Sequence, residues 1–345
     1  MKRSLGFGLI LFSMTLASSL GAQGDWGNLF RPRFKRRGPS LKTQTVLGFQ
    51  EPVKGQGRDL RMGEYKLDLS YPIFQSDRED VSLSLRCGAM ELESDMRLPD
   101  QGDRLSGLFW DLGVSLQYRR QLSNGWLGGG MISFGSASDD PFSSPEETVG
   151  QALLFLSIPH GTAPEIEGSV ENSPPGIDRR NRWIGLVHYS SQRQFLPHVP
   201  LPGIAYQFSF GPFLRGLVGF PVLSLVSRPA EDLDLQFFAL LPRRISTQVR
   251  YAVHEDWKLQ VGFDWRSRSF LRAGREHGKD RLVYNEKRVL AGIRWEPRPE
   301  MTLEIGAGYA FDRFWYEGES YGDRGDDRLD LGDGPVIQFE FRVRF

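Results

Sequence analysis

The stretch Val336-Ile337-Gln338-Phe339-Glu340-Phe341-Arg342-Val343-Arg344-Phe345 closes the chain and decides how the rest is read. Ile337, Phe339, Phe341, Val343 and Phe345 are apolar, and the residues between them, Gln338, Glu340, Arg342 and Arg344, are strongly polar. Successive side chains of a strand point to opposite faces, so one face of this segment is greasy and the other is charged. In a helix the same spacing would spread the apolar residues all round and leave no polar face.

Working backwards, the pattern recurs. Met301, Leu303, Ile305, Ala307, Tyr309 and Phe311 interleave with Thr302, Glu304, Gly306, Gly308, Ala310 and Asp312. Trp257 to Trp265, Ile245 to Val253, Leu108 to Tyr118, Val81 to Cys87 and Tyr65 to Tyr71 alternate in the same way. Soluble sandwiches also alternate. Here, however, the segments are long, the polar face carries full charges beside glycine, and Trp, Tyr and Phe cluster at strand ends, as in an interfacial girdle. A closed barrel is the one sheet that leaves no unpaired backbone in lipid.

The connections support the same reading. Short turns fall at Gln75 to Asp80, Ser123-Asn124-Gly125, His254-Glu255-Asp256 and Pro297-Arg298-Pro299. Long polar links fall at Glu51 to Arg61, Glu93 to Arg104, Ala137 to Glu147, Ser269 to Lys279 and Glu317 to Gly334. Short periplasmic turns and long outer loops are the norm for outer-membrane barrels. About fifteen strand-like segments can be counted, but a single-chain bacterial barrel needs an even number. Leu233 to Val253 keeps one phase throughout and reads as one strand interrupted near Pro242. The expectation is an all-β transmembrane antiparallel barrel of about 14 strands, with about 12 as second choice.

The N-terminus has the form of an export signal over residues 1–22: Lys2 and Arg3, an apolar core from Leu5 to Ala17, then small residues. Gln23 stands where a lipoprotein would carry cysteine. Residues 23–40, with Arg31, Arg33, Lys35, Arg36 and Arg37, read as a flexible basic lead, short for a plug, and residues 41–345 as the barrel. Pro159 to Arg179 reads as a loop.

Lys plus Arg and Asp plus Glu both total 43, so net charge selects no partner and nucleic acid is not expected. The single cysteine, Cys87, excludes an internal disulfide and a cysteine-based zinc site. The five histidines lack metal-ligand spacing, and no phosphate-cradling loop, nucleophile elbow or zinc-protease motif occurs, so neither cofactor nor metal is expected. The acidic run Asp323 to Asp333 departs from the calcium-loop pattern and reads as a solvated outer loop.

Two constellations remain. His188 and Ser190 are two apart and share a strand face with Ile184 and Leu186. The pair resembles the catalytic His and Ser of outer-membrane phospholipase A and lipid A deacylases, which would imply a lipid-facing hydrolase. The other is the polar face itself. Arg244, Arg250, Lys258, Asp264, Arg266, Arg288, Arg294, Glu296, Glu304, Asp312, Glu340, Arg342 and Arg344 are expected to line a wet lumen, either as structural ion pairs or as a mildly cationic pore.

The ending with Phe341, Val343 and Phe345 is similar to the C-terminal signal that the outer-membrane assembly machinery reads. The segments Pro202-Gly203-Ile204-Ala205-Tyr206, Gly219-Phe220-Pro221, Pro229 and Leu241-Pro242 resemble a family of uncharacterised barrel proteins from environmental bacteria, over residues 40–345. That resemblance implies a fold and no site. The expected function is a passive, porin-like channel for small solutes in the cell outer membrane, surrounded by its lipids. A lipid-modifying hydrolase and a structural or adhesive barrel acting through outer loops are the alternatives.

Overall fold

The computed structural model describes residues 29, 30, 34, 38–98, 105, 107–161, 181–191, 198–211, 213–240, 244–273, 275, 278–319, 323 and 328–345. The export signal, the basic cluster of the lead, residues 162–180 and residues 324–327 of the acidic run lie outside the described residues.

Among the described residues, one antiparallel sheet contains eighteen strands. In chain order they begin β1 (Ser40–Gly48), β2 (Glu51–Val53), β3 (Arg58–Gln75), β4 (Glu79–Ser94), β5 (Gly107–Gln121) and β6 (Leu127–Ser138). Next come β7 (Val149–His160), β8 (Asn181–Ser190), β9 (Leu201–Phe210), β10 (Leu214–Phe220), β11 (Val222–Ala230) and β12 (Leu233–Leu240). The last are β13 (Arg244–Ala252), β14 (Trp257–Phe270), β15 (Arg281–Arg298), β16 (Met301–Gly318), β17 (Arg328–Asp330) and β18 (Gly334–Arg344). β2 and β17 are three-residue extensions at the outer rim, bridged to each other at Val53 and Leu331. The other sixteen strands form the wall. β1 pairs with β3 on one side and with β18 on the other, from Ser40 opposite Arg344 to Gly48 opposite Val336, which closes the barrel.

Sixteen strands correct the expected 14 or 12. Leu233 to Val253 is not one strand: β12 and β13 fold back on each other, Leu240 opposite Arg244 and Leu233 opposite Tyr251. Facing residues in an antiparallel pair share a side of the sheet. The numbers of each β12–β13 pair sum to 484, an even total, so the apolar phase runs through the hairpin unbroken. Alternation is therefore blind to this reversal. The short strands β10 and β11 add a further hairpin around Pro221.

The outside is apolar and banded. Tyr71, Tyr118, Trp183, Tyr251 and Trp257 are exposed near the inner strand ends, and Trp257 stacks on Trp295 at 5.6 Å. Trp257 and Trp265, like Tyr118 and Trp110, lie eight residues apart on outward positions. At ~3.3 Å per residue and a tilt of ~40°, that separation spans roughly 20 Å along the axis, close to the ~25 Å apolar band of such barrels. The Asn124-Gly125 turn works as composition demands, with Gly125 at φ +81°, a conformation that glycine adopts without penalty.

Wall height is uneven. β3, β15 and β16 run 18 residues, whereas β10 has seven and β12 eight. The tall side folds inward at its outer end. β6 and β14 stand eight strands apart in a ring of sixteen, yet the Leu271 N–H donates to the Ala137 carbonyl at 2.7 Å and Ser138 bridges Leu271. Opposite walls thus touch at the outer rim.

A bulge between β15 and β16 sets what faces inward there. Asn285 opposes Phe314 but Lys287 opposes Phe311, so one residue of β15 faces two of β16. Asp312 adopts φ +50° in this bulge, and Asp is among the few residues that tolerate that region. Below it the even residues of β16 face the lumen; above it Arg313, Trp315 and Glu317 do, all buried. Asp312, expected inside, instead pairs with the outward Lys287 at 2.6 Å.

Candidate functional site

Three layers fill the lumen. The outermost is an apolar roof. Met62, Met90, Leu92, Phe109, Phe270, Leu282, Tyr284, Trp315 and Leu331 are buried in one cluster. Phe109 on β5 meets Phe270 on β14 at 5.3 Å and Trp315 on β16 at 6.2 Å between ring centroids, so the roof is built from opposing walls.

Beneath it lies a bridge of buried charges. Glu64 on β3 accepts from Arg288 at 2.9 Å and from Arg268 at 2.5 Å, and pairs with Arg266 at 3.1 Å. Arg266 and Arg288 both also pair with Glu286, which accepts from the Tyr284 hydroxyl at 2.7 Å. Arg313 pairs with Glu51 and donates to Tyr284 Oη at 3.1 Å. Around the ring, β3 is five strands from β14. At ~4.8 Å per strand that is on the order of 24 Å along the wall, too far for side chains to meet unless they cross the lumen. Glu64 and its arginines therefore span the pore. Burying one such charge without its partners costs about 3–5 kcal/mol, so the bridge holds as a unit.

The third layer is a chamber of about 740 Å³ that reaches the inner rim. Ser70, Ser82, Ser84, Ser115, Gln117 and Ser133 line one wall, and Lys42, Arg294, Glu296 and Arg342 line the other. Most of the polar residues expected at the lumen, Asp312 excepted, are linked to one another. Arg244 pairs with Asp264 at 3.3 Å. Arg250 donates to Gln248 at 2.6 Å, Gln248 to Gln260 at 2.9 Å, and Gln260 to Glu304 at 3.0 Å. Arg294 joins Glu304 to Glu296, Lys258 holds Glu296 at 2.7 Å, and Lys42 and Arg342 hold Glu340 at 3.0 and 3.2 Å. Glu64, Glu286, Arg268 and Arg313 were not singled out from sequence. The lone signal for Glu64 was its place on the polar face of β3.

The low side of the barrel is apolar within as well as without. Leu153, Phe155, Ile184, Leu186, Leu217, Val222 and Phe238 form a buried inward cluster. Leu29 and Phe30 complete it, with Phe34 packed alongside. Phe30 meets the Phe155 ring edge-on at 5.0 Å, the Ser157 hydroxyl donates to the Phe30 carbonyl at 3.5 Å, and the Arg119 guanidinium lies 5.6 Å from the Phe34 ring. These three residues of the lead thus sit inside the barrel.

That cluster also locates His188 and Ser190. Both are buried and share the inward face with Ile184 and Leu186, while Trp183 and Val187 face lipid. β8 is apolar on both faces, so alternation could not tell inside from outside. The purified wild-type barrel and Ser190→Ala are both expected to leave phospholipid in mixed micelles intact; hydrolysis by the wild type that Ser190→Ala abolishes would make the pair catalytic. Among the described residues no group of His, Cys, Asp and Glu is placed to hold a metal ion.

A closed antiparallel barrel, apolar and girdled outside and charged within, is a transmembrane barrel of the outer-membrane type, and the bacterial outer membrane is where this chain resides. No family model and no curated protein matches it. Among solved structures it is similar to an outer-membrane channel from Pseudomonas putida F1, at 10% identity over 94% of this chain and 99% of that one, TM-score 0.38. A mutant of the TodX monoaromatic hydrocarbon channel matches at 10% identity over 90% and 91%, TM-score 0.37. The transport unit of the autotransporter AIDA-I from Escherichia coli matches at 9% identity over 98% and 97%, TM-score 0.32. At these identities and scores no solute or mechanism carries over from any of them.

Proposed function

We propose that this protein is an outer-membrane channel for small solutes, held closed by the charge bridge and the apolar roof. The observation that carries the proposal is the polar chamber of about 740 Å³ reaching the inner rim of a sixteen-strand wall. Walls of 16 to 18 strands are wide enough to hold an aqueous channel, whereas eight-stranded ones fill with side chains. The bridge favours a gate over a filler. Well-packed apolar residues of similar volume would be as stable as a buried ion network or more so, and such networks are best attested as registers and switches. Outward Phe341 and Val343 and the exposed Phe345 we read as the address for the barrel assembly machinery.

Conductance in planar bilayers tests the channel. The wild-type protein should show rare, brief steps, and Glu64→Gln combined with Trp315→Ala should show frequent ones. Silence from both proteins, each inserted and folded, would overturn the reading.

A further inference from the structure

We propose that Arg266, Arg268 and Arg288 form a binding site for the carboxylate of an anionic solute, and that Glu64 occupies it as a tethered carboxylate. This deepens the channel reading by naming a solute class.

The three arginines project from one wall, β14 and β15, and the carboxylate they converge on comes from the far wall, more than 200 residues away in sequence. Guanidinium groups are fixed forks of donors that match a carboxylate, and several around one carboxylate make a preformed receptor. Local charge does not balance. Arg244, Arg266, Arg268 and Arg288 on β13 to β15 are four cations. Their carboxylates are Asp264, Glu286 and Glu64, which are three. Arg313 and Glu51 add one of each sign. One positive charge remains in surplus at this level of the lumen. Arg288 is 1% exposed, and its Nη1 has no hydrogen-bond acceptor among the described residues. A buried guanidinium donor left open calls for one more acceptor.

Access is from below. Glu64, Lys66 and Asp68 succeed one another on the inward face of β3, and Asp68 lines the chamber. A solute in the chamber meets the bridge next. Its carboxylate would replace that of Glu64 on the arginines, keep them neutralised and release the far wall. An uncharged solute of the same shape offers no such exchange.

The test is thermal unfolding of the folded barrel in detergent against n-butyrate, whose end group matches that of glutamate, with butyramide as the uncharged control. Glu64→Gln should respond to butyrate at concentrations at least tenfold below those the wild type needs, because the tethered competitor is gone. Adding Arg288→Gln should abolish the response, and butyramide should be inert throughout. If Glu64→Gln fails to fold, Glu64→Asp, with a shorter reach and the same charge, should show the same shift at about threefold or more. Equal responses of wild type and variants to butyrate, or equal responses to butyrate and butyramide, would overturn the site. Binding needs no current. A butyrate response without conductance would sink the channel and spare the site; conductance without a butyrate response would do the reverse.

Discussion

Leu85→Arg is expected to cost the folded barrel about 2–4 kcal/mol, and Ser84→Arg, one residue away, less than about 1 kcal/mol. Both lie at the middle of β4. Leu85 is 43% exposed on the outside, opposite Leu69 and Val114, between the level of Tyr118 near the inner rim and that of Trp110 near the outer one. An arginine there meets hydrocarbon at the depth where desolvation is greatest. Ser84 points the other way, opposite Ser70 and Ser115, into the chamber, where water can hydrate a guanidinium. Reversible urea unfolding in lipid vesicles measures both. Similar costs at the two positions would mean that β4 does not separate lipid from lumen.

Trp315→Ala is expected to destabilise the barrel by about 3–5 kcal/mol, the range for removing a large aromatic side chain from a packed core. Trp315 is fully buried and packs on Tyr284 at 4.8 Å and on Phe109 and Phe270 from the opposing walls. The loss should register twice: as a lower denaturant midpoint, and as ion conductance through the vacated roof when the chamber below is polar. A drop in stability with no gain in conductance would leave the bridge of Glu64 and the arginines as sufficient closure. The Glu64→Gln and Trp315→Ala combination then separates the two barriers.

The two variants probe different kinds of legibility. That Leu85 faces lipid and Ser84 faces water can be read from the chain, because a strand alternates its side chains whatever it packs against. The charged face of β13 to β16 and β18 is legible for the same reason: Arg244, Arg250, Lys258, Asp264, Arg266, Arg294, Glu304, Glu340 and Arg342 hold alternate positions that the register sets on one side of the sheet. The role of Trp315 was not legible. It lies beyond the bulge at Asp312, in the run Phe314-Trp315-Tyr316, where alternation breaks and no face is marked. β8 failed differently. Ile184 and Leu186 look lipid-facing until Leu29 and Phe30 are found inside the barrel covering them.

By itself the sequence determined that this chain is strand-built and two-faced, since period-two alternation follows from backbone geometry alone. It also placed the short turns and gathered most charges of the last strands on one face. Strand number, the meeting of β6 with β14, and the reach of Glu64 to Arg266, Arg268 and Arg288 were decided by tertiary structure. Hairpins whose paired numbers sum to an even value preserve the phase, so local pattern cannot count them. A contact across the lumen depends on the curvature of the whole closed wall, which no single strand encodes.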